Sequence, residues 1–298
     1  MAMIKLGFLS LLLIAGSASS AVLQVPSDYP TIQYALSLAE EGDRVEISPG
    51  TYTGPIVLKG GVDLLGLGES PRDVILDGME SYRIARIEND PLPLRIENLS
   101  FFRGFDSEWG GGLFATGASV ELDHVIFEDC SSALGGGAIF VVDSDLRMEF
   151  CLFSFNYTWG TQGVSVYLQG NGPSGQPQEF LNCTFAGTSI CCGNASIAFV
   201  ACSPVVSNCI LERLYCGEGS LPVLSCNLGD FCGIEGSGGH QLGDPFFCDF
   251  DARDYHVESY SPCLPENSGG CGQIGAYGLC VESAVESISF SRFKSLYR

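Results

Sequence analysis

Short apolar segments alternate with polar positions along most of this chain, and one such segment recurs about every 26 residues. In the first copy Leu99 and Phe101 flank Ser100, so alternate side chains point to opposite sides of a strand. The five copies follow one another in steps of 26, 26, 32 and 26 residues. They read Asn98-Leu99-Ser100-Phe101, His124-Val125-Ile126-Phe127, Phe150-Cys151-Leu152-Phe153, Asn182-Cys183-Thr184-Phe185 and Asn208-Cys209-Ile210-Leu211. A fixed period of this length indicates a solenoid, in which each repeat buries its apolar face against its neighbours.

The repeats predict strands rather than paired helices, because they alternate with period two and are separated by Gly, Asn, Asp and Ser. A repeat of this length accommodates three short strands and three turns, which is one coil of a parallel β-helix. The predicted fold is therefore an all-β solenoid whose equivalent side chains form columns. The inward columns are expected to be Phe101, Phe127, Phe153, Phe185, Leu211 and, beside it, Leu99, Val125, Cys151, Cys183, Cys209. Ser225-Cys226-Asn227-Leu228 is expected to add a further coil, shortened to 17 residues.

The two ends of the chain differ from the repeats. Residues 1–20 are expected to be a secretory signal peptide, with Lys5 before an apolar run and small residues after it. The β-helix domain is assigned to residues 21–280. Near its start a helix opening at Pro30 and ending at Gly42 is predicted to cap the first coil. Its apolar face would consist of Ile32, Ala35, Leu36 and Ala39. Residues 281–298 lack Gly and Cys and are expected to be a tail, either frayed or used for sorting.

Composition adds a compartment to this picture. The chain has 298 residues, of which 46% are hydrophobic and 16% charged, so it can bury a core. Its 14 cysteines all lie from Cys130 onward, and export would allow disulfides. Bonding is predicted in the loop-rich end segment, for Cys248, Cys263, Cys271 and Cys280. For the column pair Cys183 and Cys209, a disulfide and two buried thiols remain open.

The net charge of −21 argues against nucleic acid or an anionic membrane as a partner, because phosphate binding requires Lys and Arg. After the signal segment is removed, no other segment qualifies as a membrane span. No cofactor is predicted, although so acidic a surface is compatible with calcium. The nearest to a calcium site is Asp249, Asp251 and Asp254, where a turn rich in Asp is the competing interpretation.

Motifs at both ends resemble secreted bacterial right-handed parallel β-helix proteins of the pectin-lyase-like superfamily. The N-terminal ones are Ser27-Asp28-Tyr29-Pro30-Thr31-Ile32-Gln33, Gly42-Asp43-Arg44-Val45 and Pro49-Gly50-Thr51-Tyr52. The C-terminal ones are Asp244-Pro245-Phe246-Phe247-Cys248, Asp254-Tyr255-His256-Val257, Ser261-Pro262-Cys263 and Cys271-Gly272-Gln273-Ile274-Gly275-Ala276. Two internal segments, Gly136-Gly137-Ala138-Ile139 and Phe153-Ser154-Phe155-Asn156, are similar to the short repeats of polymorphic outer-membrane proteins. The resemblance covers about residues 22–280 and implies a right-handed coil with a Cys-rich C-terminal cap, but little chemistry.

Known chemistry of such folds is not evident in the sequence. The Asp-Asp, His-Gly and Gln-Asp constellations that the resemblance would bring to polysaccharide enzymes do not occur. No catalytic residue is therefore assigned. Glycoside hydrolysis needs two carboxylates across the sugar, and acids on consecutive coils could supply them. The nearest arrangement is Asp143, Asp145, Arg147 and Glu149 on one coil, where a solvated salt-bridge stripe is the competing interpretation.

Aromatic residues give a second candidate surface. Trp109 and Trp159 precede glycine clusters at similar coil positions, and Tyr157 lies beside Trp159. These rings could stack on sugars or pack beneath the glycine turns. The sequence thus favours an exported, non-enzymatic surface or secreted protein that binds a glycan or a cell-surface protein. The alternatives are a polysaccharide lyase or glycoside hydrolase with an unrecognised acidic site, and a structural envelope component.

Overall fold

The computed structural model describes residues 20–160, 163–187, 195–230 and 243–280, and its regular elements are almost all short strands. The first part contains β1 (Val22–Val25), α1 (Ile32–Leu38), β2 (Arg44–Ile47), β3 (Gly50–Thr53), β4 (Ile56–Val57), β5 (Asp63–Gly66), a 3-10 helix (Pro71–Asp73), β6 (Val74–Asp77) and β7 (Ala85–Glu88). The middle part contains β8 (Pro93–Phe102), β9 (Phe105–Asp106), β10 (Leu113–Thr116), β11 (Ser119–Glu128), β12 (Ser131–Ser132), β13 (Ile139–Val142), β14 (Asp145–Glu149), β15 (Leu152–Ser154), β16 (Tyr157–Thr158) and β17 (Val166–Gln169). The last part contains β18 (Glu179–Leu181), β19 (Thr184–Ala186), β20 (Ile197–Val200), β21 (Val205–Ser207), β22 (Ile210–Cys216), β23 (Val223–Ser225), β24 (Leu228–Asp230), β25 (Phe247–Asp249) and β26 (Asp254–Val257).

The strands from β1 to β24 pair in parallel with the equivalent strands of the next coil, which makes the chain a right-handed parallel β-helix as predicted. The first sheet consists of β1, β2, β5, the N-terminal halves of β8 and β11, β14, β18, β21 and β23. The second consists of β3, β6, the C-terminal halves of β8 and β11, β15, β19, the start of β22 and β24. The third consists of β4, β7, β10, β13, β17, β20 and the end of β22. A small corner sheet, β9, β12 and β16, lies between the second and third sheets along the chain.

From β8 onward, one residue in the left-handed region turns each coil from the first sheet into the second. Asn98 does this with φ 55°, and Asn is among the residues that tolerate this conformation best. The equivalent residues are His124, Phe150, Asn182, Asn208 and Cys226. The predicted additional coil is present, but Cys226 rather than Ser225 aligns with Asn208, because Ser225 pairs with Ser207. The sequence alignment was therefore wrong by one residue there.

The core is the predicted inward column of aromatic rings. Phe101, Phe127, Phe153 and Phe185 are fully buried, with neighbouring centroids 4.6, 5.2 and 4.5 Å apart and ring planes within 7° of parallel. Strand register forces this stacking, since in-register strands place identical positions about 4.8 Å apart. The neighbouring column of Leu99, Val125, Cys151, Cys183 and Cys209 is buried as well.

The helix α1 closes the N-terminal end of this core, as predicted. Thr31 is its N-cap and accepts a hydrogen bond from the backbone N–H of Tyr34. Its predicted apolar face, Ile32, Ala35, Leu36 and Ala39, is buried. The helix ends at Leu38, earlier than the expected Gly42.

Residues 243–280, here called the strap, pack along the outside of the second sheet. They cover outward-facing apolar residues of that sheet, among them Ile126, Leu152 and Ile210. The Tyr255 hydroxyl lies 2.7 Å from Ser154 Oγ, and the amides of Asn182 and Asn208 donate to the carbonyl of Gln273. The Cys-rich C-terminal cap thus covers the side of the solenoid.

Two disulfides fix the strap, Cys226–Cys271 to the last coil and Cys248–Cys280 within the strap itself. The prediction was therefore correct for three of the four cysteines. It was wrong for Cys263, which is buried and forms no disulfide in the described part of the chain. Its side chain packs in the apolar contact between the strap and β22, so this part of the strap is held by apolar packing and not by a disulfide of Cys263.

The column cysteines Cys151, Cys183 and Cys209 are buried thiols, which settles the choice that the sequence left open. Their sulfurs lie 3.3–3.5 Å from backbone carbonyl oxygens two residues earlier or in the preceding coil. Burial raises the pKa of the Cys151 and Cys183 thiols well above the usual value, so they are unreactive.

Residues 1–19, which hold nearly all of the predicted signal peptide, and the predicted tail 281–298 lie outside the described residues. Among the described residues, no helix is long and apolar enough to cross a membrane.

Candidate functional site

The candidate acids of one coil lie on the outward face of the first sheet. Asp145, Arg147 and Glu149 alternate with the buried Leu146 and Met148 along β14. Asp143 does not join them, because it precedes the strand and has φ 46°. The predicted group of four is thus reduced to three.

These three residues are engaged in pairs. The Arg147 guanidinium lies 2.9 Å from Glu149 and 3.1 Å from Glu179 of the next coil. Asp145 accepts hydrogen bonds from the backbone N–H and the hydroxyl of Ser174, at 3.0 and 2.7 Å. Asp145 therefore anchors the loop that contains Ser174, and the Arg147 cluster is a salt-bridge stripe.

That loop corresponds to the one long step, of 32 residues, in the sequence repeat. It forms one wall of a cleft of about 350 Å³ whose polar lining includes Glu121, Arg147 and Glu179. The register places Glu121 between Arg95 and Arg147 on neighbouring strands. The loop therefore gives the acidic face a concave feature lined by both acids and an arginine.

A column of carboxylates runs beside this cleft. Glu97, Asp123 and Glu149 are in register on consecutive strands, so their backbones are about 5 Å apart. Arg95 forms ion pairs with Asp123 and with Glu97, the latter at 3.4 Å. Carboxylates on neighbouring strands can reach the separation that glycoside hydrolysis uses.

The calcium candidates have other roles. Asp249 accepts a hydrogen bond from the backbone N–H of Ala252, and Asp254 lies 2.7 Å from Nδ1 of His256. Asp249 and Asp254 are paired across the β25–β26 hairpin, around a turn that contains Asp251. Among the described residues, no group of three or more His, Cys, Asp or Glu is arranged to hold a metal ion.

The two tryptophans belong to different clusters. Trp109 is half-buried against Phe140 and Tyr167 on the third sheet, with ring centroids 4.5 and 5.4 Å away. Its backbone pairs with Gly135, so it packs over the glycine turns. Trp109 thus takes the packing role that the sequence left open.

Trp159 and Tyr157 remain at the surface. Their side chains are 60% and 38% exposed, and their rings are perpendicular with centroids 5.1 Å apart. Phe105, two coils away, meets the edge of the Trp159 ring at 6.1 Å, and the exposed Leu134 lies on the coil between them. These four residues, Phe105, Leu134, Tyr157 and Trp159, are here called the aromatic corner.

Backbone pairing makes the aromatic corner rigid. In the corner sheet, Ser131 pairs with Phe105 on one side and with Tyr157 on the other. The buried Asn156 accepts a hydrogen bond from the Cys130 N–H and donates one to the Phe127 carbonyl. The backbone that carries the rings is consequently held by three coils of the solenoid rather than by a free loop.

The repeat itself could have separated the two tryptophans. The Trp159 N–H donates to the carbonyl of Ser132, so Ala133 is the equivalent of Trp159 one coil earlier. The Ala133 N–H donates in turn to the carbonyl of Asp106, so Ser107 is the equivalent two coils earlier. Counting two periods back from Trp159 gives the same residue, whereas Trp109 lies two positions later. Sequence reasoning also missed the strap contact at Glu128, which pairs with both Arg72 and Arg253. No local signal reveals that contact, because its partners are far apart in the chain.

A cleft of about 790 Å³ lies between the strap and the end of the second sheet. Its lining is mostly apolar and includes Phe246, Phe250 and Tyr260. It contains none of the predicted site residues.

No family model matches the sequence, and no curated protein sequence matches it either. Several solved structures are similar at low identity. A pectin methylesterase in complex with a hexasaccharide matches at 13% identity, with a TM-score of 0.32, over 84% of this chain and 100% of that one.

Two phage proteins are also similar. A tailspike from Acinetobacter baumannii bacteriophage Fri1, a capsular polysaccharide depolymerase, matches at 12% identity with a TM-score of 0.29. ORF18 of Geobacillus virus E2 matches at 11% identity, also with a TM-score of 0.29. These matches cover 81% and 68% of this chain, but only 56% and 59% of the phage proteins. With TM-scores this low the similarities carry no argument about function.

Proposed function

We propose that this protein is an exported, non-enzymatic β-helix protein that binds glycans through its aromatic corner. The observation that carries the proposal is the exposure of Trp159, whose side chain is 60% accessible although neighbouring aromatic rings pack against it. Large aromatic side chains are mostly buried in folded proteins, and exposed clusters of them mark binding surfaces.

The geometry of the corner suits a sugar. The exposed faces of Trp159 and Tyr157 are apolar surfaces on which the C–H face of a pyranose ring can stack, while the Tyr157 hydroxyl can hydrogen-bond with the ring substituents. Backbone hydrogen bonds hold Tyr157 and Trp159 on the solenoid and their rings contact each other, so less freedom is lost on association than for two isolated side chains.

Export is supported by the covalent structure of the strap. The Cys226–Cys271 and Cys248–Cys280 disulfides are stable in an oxidising compartment and rare in the cytosol. The apolar N-terminal segment fits the same route. The proposed partners are therefore polysaccharides or glycosylated cell-surface proteins outside the cytoplasm.

The test is a glycan-array screen of the mature protein, followed by titration of the glycans that bind. Trp159→Ala should abolish binding and Tyr157→Ala should weaken it by about tenfold or more, as for aromatic anchors elsewhere. Tyr34→Ala, which removes a comparably exposed ring from α1, is the matched control and should bind normally. Binding that survives Trp159→Ala, or no binding to any glycan, would refute the proposal.

A second function is favoured by one observation, the cleft beside the acidic column. Its lining carries Glu121, Asp145 and Arg147, which could serve a glycoside hydrolase or polysaccharide lyase. Against this, Asp145 and Arg147 are already engaged with Ser174, Glu149 and Glu179.

The two functions separate in a turnover assay. We expect no measurable cleavage of pectin, polygalacturonate or alginate by the mature protein. Turnover of any polysaccharide that is lost in Glu121→Gln or Asp145→Asn, with folding unchanged by circular dichroism, would establish the enzyme instead. Because Asp145 also anchors a loop, Glu121→Gln is the cleaner variant.

A further inference from the structure

We propose that the aromatic corner selects glycans that carry positive charge, namely oligosaccharides of amino sugars with free ammonium groups. This inference rests on the proposed function and adds the chemical class of the ligand. It is carried by the charges that surround the exposed rings.

An exposed carboxylate lies on the same surface. Glu108 is exposed, and its carbonyl accepts a hydrogen bond from the Leu134 N–H at 2.7 Å, which places it next to a residue of the corner. Glu108 follows Ser107, the equivalent of Trp159 two coils earlier, so it lies about 10 Å from Trp159 along the solenoid axis. That separation matches the length of a disaccharide. No cation of the described residues lies within salt-bridge distance of the Glu108 carboxylate, although its charge acts on Arg83, which pairs with Asp106.

The cations at this corner are already neutralised. The Arg83 guanidinium lies 2.9 Å from Asp106 and donates to the carbonyls of Trp109 and Gly110. Arg103 pairs with Asp77. Neither arginine is therefore available to the carboxylate of a uronic acid.

The surrounding carboxylates leave the corner negative. Arg103 faces Asp77, Glu80 and Asp129, and the hydrogen bonds that it donates to Asp77, together with these charges, raise the pKa of Arg103. Asp129 is in addition paired with Arg253 of the strap. Glu80, whose N–H donates to the Arg103 carbonyl, and Glu108 are both exposed.

A negative surface beside exposed aromatic rings favours binding of an ammonium group through two interactions. The carboxylate attracts its charge directly, and the faces of Trp and Tyr attract cations through their quadrupoles. The net charge of −21 steers cationic ligands toward the protein and repels polyuronates. An N-acetylated sugar of the same shape would keep the stacking and lose both electrostatic contributions.

The experiment compares three ligands of equal length by calorimetry at low and high salt: glucosamine oligomers, N-acetylglucosamine oligomers and galacturonate oligomers. The mature protein should bind the glucosamine oligomer about tenfold or more tightly than the N-acetylated one, and the galacturonate oligomer least. The difference should shrink at high salt, because exposed charges are screened.

Two variants assign the effect to this corner. Glu108→Gln should remove most of the preference for glucosamine and leave the affinity for the N-acetylated oligomer unchanged. Glu266→Gln makes the same charge change on an exposed strap residue and should have no effect. Trp159→Ala should abolish binding of all oligomers.

The outcomes distinguish the two proposals. Equal affinity for the glucosamine and N-acetylglucosamine oligomers, lost in Trp159→Ala, would overturn the inference and keep the glycan-binding function. A preference that persists in Glu108→Gln would also overturn it. Glucosamine binding that Trp159→Ala leaves intact would show association by charge elsewhere, and would refute both proposals for this corner.

Discussion

Truncation of Phe127 to alanine tests the core of the solenoid most directly. The ring is fully buried, and it is stacked between Phe101 and Phe153 with centroid distances of 4.6 and 5.2 Å. Replacing a buried phenylalanine by alanine lowers the free energy of unfolding by about 3–5 kcal/mol, because the transfer free energy of the ring is lost and a cavity remains. Each stacked partner accounts for ~0.5–1.5 kcal/mol of such a loss, which favours the upper part of the range.

The site cannot collapse to refill the space. A Cβ added at Gly112 would lie 2.9 Å from Cδ1 of Phe127, so the backbone of the neighbouring strand packs directly against the ring. That backbone is fixed by hydrogen bonds to Ala138. We therefore expect a loss of about 5 kcal/mol in the free energy of unfolding, at the upper end of the range.

The assay is equilibrium unfolding in guanidinium chloride, followed by far-ultraviolet circular dichroism. Phe127→Leu keeps most of the volume and should cost about 1–2 kcal/mol. Phe246→Ala removes a ring that is 39% exposed on the strap, and should cost roughly 1 kcal/mol or less. A loss below about 1.5 kcal/mol for Phe127→Ala, with an unchanged m-value, would refute a rigid stacked core.

Three further predictions concern the strap and the turns. Replacing Cys226 and Cys271 by serine removes a disulfide with a sequence separation of 45 and should lower the free energy of unfolding by about 4 kcal/mol. The strap should then be cleaved faster by proteases, and unchanged proteolysis would contradict the assigned bond. Gly136→Ala should lower the free energy of unfolding by more than 2 kcal/mol, since φ is +59° and the new Cβ would lie 2.3 Å from a carbonyl oxygen. The control, Gly175→Ala, has φ +69° in open space and should cost only ~1–2 kcal/mol. Equal losses in denaturant titrations would show that the contact does not matter. Burial raises the pKa of Tyr277 to about 12, so the unfolded chain releases this proton first and the free energy of unfolding should fall between pH 10 and pH 12. Tyr277→Phe should remove that part of the alkaline decline in the unfolding midpoint. An identical decline in both proteins would disprove the prediction.

The period of the sequence was enough to predict the fold and its core column. Each coil buries its inward side chains only against the coils before and after it, so the positions of Phe101, Phe127 and Phe153 relative to one another follow from their spacing. The capping helix was predicted for a similar reason. Its N-cap and its apolar stripe are local features that Thr31 and Ile32 already display.

The candidate sites were predicted only as residue types. Whether Trp109 or Trp159 is exposed depends on which column each joins, and a shift of two positions along the coil separates a packed ring from an accessible one. Likewise, Asp143 resembles its neighbours Asp145 and Arg147 in the sequence but lies before the strand that displays them.

What only the tertiary structure decided is the arrangement of the strap. Outward-facing Ile126 and Leu152 show in the sequence that something covers the second sheet, but apolar burial has no direction and does not specify which segment does so. The pairing of Cys226 with Cys271, the unpaired Cys263 and the contact of Arg253 with Glu128 all follow from where the strap lies. The sequence by itself determined the contacts between neighbouring coils, because those repeat with a fixed period. Contacts between the coils and the strap occur once each and at long range, and no periodicity encodes them.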